Sequence, residues 1–456
     1  MRRILLVLLM LVPGCSPLPW RGPDPVPAGF SLGPRETIRP GSTLTLEAAI
    51  RIAKAGNPQA LAARYLAQQA EAVRMQNVAP ALPQVRLSGR AARYLDPQRV
   101  ASPSSSGTTP VSVSAEDLGT WDATVSLNLF AGGRDLWRIR MAQDLVEAAR
   151  LDARQAQRTV AQLVAVAYYQ AVWRRAVADA LSSSAKALEA EAARVKALRD
   201  QDKASLLDVT RVLVRAAEVL DRSREEASLA ELALLQLFHL LGLPAVVDVR
   251  LEPPPEVPEK AVPEEARLDW QDLLARRPDL KAARLRVFSQ QAKILGVQAE
   301  LWPQLALAGS FGQRVDLTAW PVEDGHWRNS GYVGLELAWS PFEGGRVHYL
   351  VEQERAALRV QIEQLRALEL AAVLEIRTAL ARLRSAQDRL GTAREALTLA
   401  KTSLELEQKK VDLGQSTFTD YQIIEAAYLD ARVRVLQLSA EVRIAWLQYR
   451  LATGEW

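Results

Sequence analysis

Cysteine occurs once and histidine three times in 456 residues, and each shortage excludes a kind of chemistry. A single thiol leaves no internal disulfide framework. His239, His326 and His348 stand far apart, without the spacing of metal ligands, so no metal site is expected. The chain has neither a glycine-rich phosphate loop nor a nucleophile elbow. Nothing therefore points to an enzyme, a cofactor or a catalytic residue. Past residue 14 no apolar run approaches the roughly 20 residues of a spanning helix, which excludes a helical membrane protein. An excess of one charge sign is missing too. Arg2 and Arg3 supply two of the formal +4, and the other acids and bases are intermixed, so nucleic acid is not an expected partner.

What the chain does have is a junction written twice. Leu127-Asn-Leu-Phe-Ala-Gly-Gly-Arg134 returns as Ser340-Pro-Phe-Glu-Gly-Gly-Arg346, so Gly132 and Gly133 are echoed by Gly344 and Gly345 at an offset of 212. Upstream of each junction apolar residues alternate as in a strand; downstream they recur at helical spacing for more than sixty residues. The pattern predicts a joint between sheet and helix, with glycines free to adopt unusual backbone angles.

In chain order, residues 1–14 read as a secretory signal, with basic Arg2 and Arg3 before the apolar run Ile4 to Val12. Leu11-Val-Pro-Gly-Cys15 resembles a bacterial lipobox, although Pro13 departs from the usual small residue. The resemblance implies that Cys15 is acylated, and Ser16 in place of aspartate favours the outer membrane. Residues 15–42 are rich in proline and glycine and predict an extended tether. A helix is expected from Thr43 or Thr45 to about Val78, ended by Pro80 and Pro83.

Two hairpins follow the same plan, over residues 84–130 and 304–342. In the first, Trp121, Ala123, Val125, Leu127 and Leu129 alternate with polar residues, as a lipid-facing barrel strand requires over about 9–11 residues. A half-buried strand of a soluble sheet alternates identically. Residues 96–120 read as a polar loop, and its counterpart 315–330 is shorter. The repeat continues through Asn57-Pro58 against Arg277-Pro278 and Pro83 against Pro303, at offset 220, and through Asp208 against Asp420, at offset 212.

The first repeat thus covers 43–242, with a long helix over 133–200 and a return helix over 205–241. A proline-rich linker, 243–268, leads to the second repeat, 269–456, with helices over 345–412 and 417–453. The long helices should span on the order of 100 Å and the shorter ones about half of that, so two short helices stacked end to end match one long one. Ile376, Leu383, Leu390, Leu397, Leu404 and Val411 are spaced by seven, with Ala379, Ala386, Ala393 and Ala400 three residues after the first four. That is a coiled-coil seam. In the first repeat large and small are exchanged: Ala178, Ala185 and Ala192 stand where the second has Leu390, Leu397 and Leu404, and Leu181 and Leu188 where it has Ala393 and Ala400. An alanine-rich amphipathic bundle would give a similar pattern.

Four strands cannot close a barrel, and open sheet edges in lipid leave backbone groups unsatisfied, so other chains must complete the sheet. The plan of helix, proline, hairpin, Phe-x-Gly-Gly-Arg and long helix, with Arg276-Arg-Pro-Asp-Leu-Lys-Ala-Ala283, resembles the TolC-like outer-membrane efflux protein family in its lipid-anchored branch. The resemblance implies an α+β fold with a long helical periplasmic α-barrel and transmembrane β-hairpins, assembled as a homotrimer around a 12-stranded β-barrel. It implies a passive conduit in a tripartite efflux or secretion system, with a periplasmic adaptor (membrane fusion) protein and an inner-membrane transporter as partners. It also implies a periplasmic gate at Asp420 and, by repeat, Asp208. Each is equally a first-turn carboxylate favoured by the helix dipole. Gly414, Gln415, Ser416, Asp202 and Ser205 mark the tips where an adaptor would dock, and Asp202 replaces the glycine expected at the first tip. Pro83, Gly132, Gly133, Pro303, Gly344 and Gly345 mark the strand-helix hinges. The alternative is a lipid-anchored periplasmic coiled-coil scaffold or adaptor without a pore.

Overall fold

The computed structural model describes residues 38–95, 99–104, 107–112, 117–201, 204–243, 248–253, 265, 268–316, 328–413 and 415–455. Cys15, Asp202, His326 and Gly414, with the signal, most of the tether and most of the linker, lie outside the described residues. The first repeat runs β1 (Thr43–Leu44), α1 (Leu46–Gly56), α2 (Pro58–Val78), β2 (Gln84–Arg93), β3 (Arg99–Ser104), β4 (Gly107–Ser112), β5 (Asp117–Ala131), α3 (Arg134–Arg199) and α4 (Leu206–Leu240). The second begins after β6 (Arg250–Leu251) and runs α5 (Trp270–Arg276), α6 (Pro278–Gln298), β7 (Gln304–Asp316), β8 (Arg328–Ala338), α7 (Arg346–Asp412) and α8 (Phe418–Ala452).

Two expectations are corrected at once. The single helix expected up to Val78 is two, broken at Asn57, because Pro58 has no N–H to continue a helix but suits the first position of a new one. Asn57 caps that new helix, its Oδ1 accepting from the N–H groups of Gln59 (2.9 Å) and Ala60 (3.3 Å). Residues 96–120 are not simply a polar loop, since β3 and β4 pair there as a small antiparallel hairpin and β5 begins at Asp117. The Ser/Thr-rich stretch carries no apolar face, so its strands left no alternation to read.

The break at Asn57 does a second job. Asn57 Nδ2 donates to the carbonyl of Leu240 at 2.8 Å, and Arg277 Nη1 donates to that of Ala452 at 3.0 Å. These carbonyls end α4 and α8, where no intrahelical N–H is available. Each repeat therefore uses the residue before its second-helix proline to cap its own return helix, and both residues are buried. Arg277 also pairs with Asp279 (2.8 Å) and Glu375 (2.7 Å). Burial pushes the Asp279 carboxyl up, but the hydrogen bonds and charge of Arg277 outweigh it and hold the group below its ordinary range.

The seam pattern is present, with a partner more definite than sequence could name. Ile376, Leu383 and Leu390 with Ala379, Ala386 and Ala393 bury against Leu438, Val442 and Ala445 of α8. In the first repeat Leu181, Ala185, Leu188 and Ala192 bury against Val209, Val212, Ala216 and Val219 of α4. Each long helix thus meets its own return helix, and within one chain the two seams belong to separate clusters. The exchanged sizes do not face each other. Leu429 of α8 enters the first-repeat cluster, and Ser184 Oγ donates to the buried Glu425 at 2.7 Å, so α8 also packs along α3.

A third cluster joins α1, α2 and the end of α4 to the middle of α3, where Tyr168 is fully buried. Its hydroxyl lies 2.8 Å from Leu44 O and 2.7 Å from Glu252 O, next to the parallel β1–β6 pair. Burial pushes its pKa up to about 12. This small pair anchors the linker's start to the first repeat, and two residues of strand on each side were too short to register as a period.

Candidate functional site

Strands β2, β5, β7 and β8 form one antiparallel sheet in that order, with β2 and β8 as its edges. Directly paired residues in a ladder point to the same side. One face therefore carries Val85 with Val125, Leu87 with Ala123, Leu127 with Leu307 and Leu335, and Leu305 with Leu337. The opposite face carries Arg86, Ser88, Arg90, Thr120, Asp122, Thr124, Ser310, Arg314, Tyr332 and Glu336. The apolar face is not covered by the chain's own helices: Leu87 is 76% exposed and Val333 84%. Among the described residues no helix is long and apolar enough to cross a membrane.

The expected alternation fails at one residue. A bulge between Asn128 and Phe130 leaves Leu129 out of register, and Phe130 pairs with Leu305 on the apolar face. The outward aromatic near the joint is thus Phe130, not the next residue in a strict period of two. A Phe two residues before the Gly-Gly pair was the trace of this in sequence.

At the joints all four glycines sit in the left-handed region, Gly132 at φ 62° and Gly133 at φ 85°, Gly344 at φ 61° and Gly345 at φ 84°. Their surroundings differ. A Cβ on Gly132 would come within 2.4 Å of Ala299 O and 2.7 Å of Trp302 Cβ, whereas one on Gly344 would meet nothing within 4 Å. The first joint is packed against the end of α6 in the second repeat; the second joint faces open space within this chain. Pro83 and Pro303 each directly precede a strand, β2 and β7.

At the far ends of the long helices, the two candidate aspartates hold the same local structure. Ser205 Oγ donates to Asp208 Oδ2 at 2.6 Å, and the Asp208 N–H returns a bond to Ser205 Oγ at 3.1 Å. Thr417 and Asp420 repeat this at 2.6 and 3.2 Å. Ser205 and Thr417 are the N-caps of the return helices, and at the first of them the Ser205 N–H also donates to Asp208 Oδ2 at 3.0 Å. The Ser205 hydroxyl and backbone N–H hold Asp208 below its ordinary range in the single chain, the reverse of the rise expected for a self-repelling ring. Arg211 Nη1 donates to Thr419 Oγ1 at 2.8 Å and Arg222 meets Asp430 at 3.2 Å, tying the two return helices together.

One tip residue escaped the sequence reading. Glu407, with its side chain almost fully buried, accepts from the hydroxyl of Ser416 and pairs with Lys410 at 3.2 Å. Those two partners, Ser416 first, hold its carboxyl below the ordinary range. Glu407 lies seven residues after Ala400, on the small-residue line of the seam, and stands where the first repeat has the buried Val195. A charge on a seam line was the available signal. Gln415 donates its N–H to Lys410 O at 2.8 Å, which closes the same turn. Among the described residues no group of His, Cys, Asp or Glu is placed to hold a metal ion.

Residues 270–455, nearly the whole second repeat, match the sequence family described as Outer membrane efflux protein. No curated protein matches the chain by sequence. Solved structures match the fold at low identity. The outer membrane protein VceC of Vibrio cholerae has 19% identity and TM-score 0.72, over 90% of this chain and 96% of that one. The outer-membrane channel OprN has 20% identity and TM-score 0.72, over 96% and 98%. The CmeC outer membrane channel of Campylobacter jejuni has 16% identity and TM-score 0.72, over 90% and 85%. The second repeat thus matches the outer membrane efflux protein family by sequence, and the whole chain shares its fold with solved outer-membrane proteins.

Proposed function

We propose that the protein is the outer-membrane channel-tunnel of a tripartite efflux system, a passive conduit whose long helices extend into the periplasm. The observation that carries this reading is the sheet: apolar on one side, polar on the other, and unpaired at both edges. An open edge in lipid costs several kcal/mol for each unsatisfied group, so β8 of one chain must meet β2 of another. Three copies would give twelve strands, within the range of outer-membrane barrels.

The unmatched joint supports the same ring. At the repeat offset of 220, Ala79 and Leu82 correspond to Ala299 and Trp302. In a closed ring the open space at Gly344 would receive Ala79 and Leu82 of the next chain, as Gly132 receives Ala299 in this one. Asp208 and Asp420, in the first turns of the inward return helices, would narrow the tunnel at its periplasmic end. Ser205, Gln415 and Ser416, with Asp202 and Gly414, would present the tips to a periplasmic adaptor, which links the channel to an inner-membrane transporter. Acylated Cys15 would add a lipid anchor in the outer membrane.

Migration of the purified protein on detergent gels, with and without heating, tests the ring. A heat-labile trimer band is expected; a monomer under all mild detergent conditions would favour the scaffold reading. Metabolic labelling with palmitate tests the anchor, with label on the native chain and none on Cys15→Ala; equal label on both would remove it.

A further inference from the structure

The register of the sheet brings three arginines onto one row. Arg90 pairs with Thr120, Thr120 with Arg314, and Arg314 with Arg328, so the row crosses all four strands on the polar face. It lies toward the end of the sheet remote from the Gly-Gly joints, about 20 Å along β2 from its start. All three side chains are exposed. Directly opposed like charges destabilise a ladder, and Arg314 and Arg328 are directly opposed.

The acid on the helix side of this row is engaged elsewhere. Asp122, one row toward the helices, accepts from Ser88 Oγ at 2.7 Å and Thr124 Oγ1 at 3.2 Å. Glu336 accepts from Tyr332 at 3.0 Å. One row further out, the register places Ala92, Leu118 and Asp316. From the row of Glu336 outward to that of Arg314, the polar face has Arg86, Arg90, Arg314 and Arg328 against Asp122 and Glu336, with Asp316 one row beyond. The row borders a hollow of about 440 Å³ that Arg90, Thr120, Asp122, Arg314 and Tyr332 line. Among the described residues no carboxylate forms an ion pair with Arg90, Arg314 or Arg328.

We propose that Arg90, Arg314 and Arg328 form an anion-binding belt near the outer mouth of the conduit, which concentrates multivalent oxyanions there. The proposal rests on the pore reading, because only a closed barrel turns the polar face into a lumen and brings three such rows into one ring. Guanidinium groups present planar forks that match phosphate and carboxylate oxygens. Rings of Arg or Lys select anions in pores, and low-dielectric walls focus the field of an unpaired cluster.

The test uses the purified full-length protein in planar bilayers, with inorganic pyrophosphate as the probe and the two sides addressed separately. Pyrophosphate on the barrel side is expected to block the current, and the block should weaken about tenfold in apparent affinity in R90Q/R314Q/R328Q, since local counter-ion enrichment falls with the cluster's charge. The triple Arg→Lys variant should keep most of the block, and each single Gln variant should lose part of it. Absence of any wild-type current would overturn the pore reading. Current without barrel-side block, or block that the single and triple Gln variants leave unchanged, would overturn the belt while leaving the pore intact. Raising the salt to about 1 M should abolish the block, as the Debye length falls to about 3 Å.

Discussion

Gly132 lies against the carbonyl of Ala299, and its repeat-mate Gly344, with the same backbone angle, lies against nothing. The two glycines are equal in conformation and unequal in contact. In the ring proposed above, the next chain would supply at Gly344 the contact that Ala299 supplies at Gly132.

Substitution separates the two. Gly132→Ala would place a Cβ into Ala299 O within the chain, and should lower the stability of the chain by roughly 1–3 kcal/mol, the scale of forced strain and overpacking. Gly344→Ala adds left-handed strain of about 1 kcal/mol in the single chain, and its larger effect should fall on assembly. Thermal unfolding of solubilised protein and the trimer fraction on unheated gels measure the two separately. Equal loss of trimer from both variants, without a difference in unfolding, would contradict the assignment.

The caps of the return helices predict an acid asymmetry. In the first repeat Leu240 O is capped by the neutral amide of Asn57, which does not titrate. In the second, Ala452 O is capped by Arg277, which Asp279 holds in place. Because the folded Asp279 pKa is depressed, its contribution is present above the unfolded value near 3.9 and is lost as pH falls through the folded value. The difference in melting temperature between wild type and Asp279→Asn should be constant near neutrality and shrink below about pH 4. A difference that grows as pH falls would contradict the sign.

Asp420 has an observed bond to the cap of α8 and a proposed place at the gate, which two variants can divide. Its carboxylate accepts the hydroxyl of Thr417, the N-cap of α8, and Thr417→Ala should cost about 1 kcal/mol. As part of a narrow ring Asp420 should also restrict current. Asp420→Ala is therefore expected to raise resting conductance while Thr417→Ala leaves it nearly unchanged. Equal conductance in both variants and wild type would reduce Asp420 to its bond with the cap.

The long helices and the two hairpins were legible in sequence because each has a sustained period: seven along Ile376 to Leu390, two along Trp121 to Leu127. What was missed depends on single residues or on tertiary pairing. The bulge at Leu129 breaks a period of two by one residue, and only pairing with Leu305 reveals which side Phe130 takes. The break at Asn57 was foreshadowed by Pro58, but the surrounding apolar spacing continued across it. Arg277 read as part of a family-like stretch, and its reach to Ala452, 175 residues away, could not be seen from local spacing. The arginine row is invisible without register, since Arg90, Arg314 and Arg328 are far apart in sequence and share only a position in the ladder. The tips at Ser205 and Thr417 were placed by the repeat, but the bonds of Asp208 and Asp420 to these caps needed the geometry of their hydroxyl partners.

The most direct measurement of the central claim is the conductance of the purified full-length protein in planar lipid bilayers, alongside its oligomeric state in the same detergent. A channel formed by a trimer should give discrete current steps, small at rest and larger in Asp420→Ala. A stable, folded protein that gives no steps in either form, at any orientation or voltage, would contradict a conduit and leave the polar face of the sheet without a lumen.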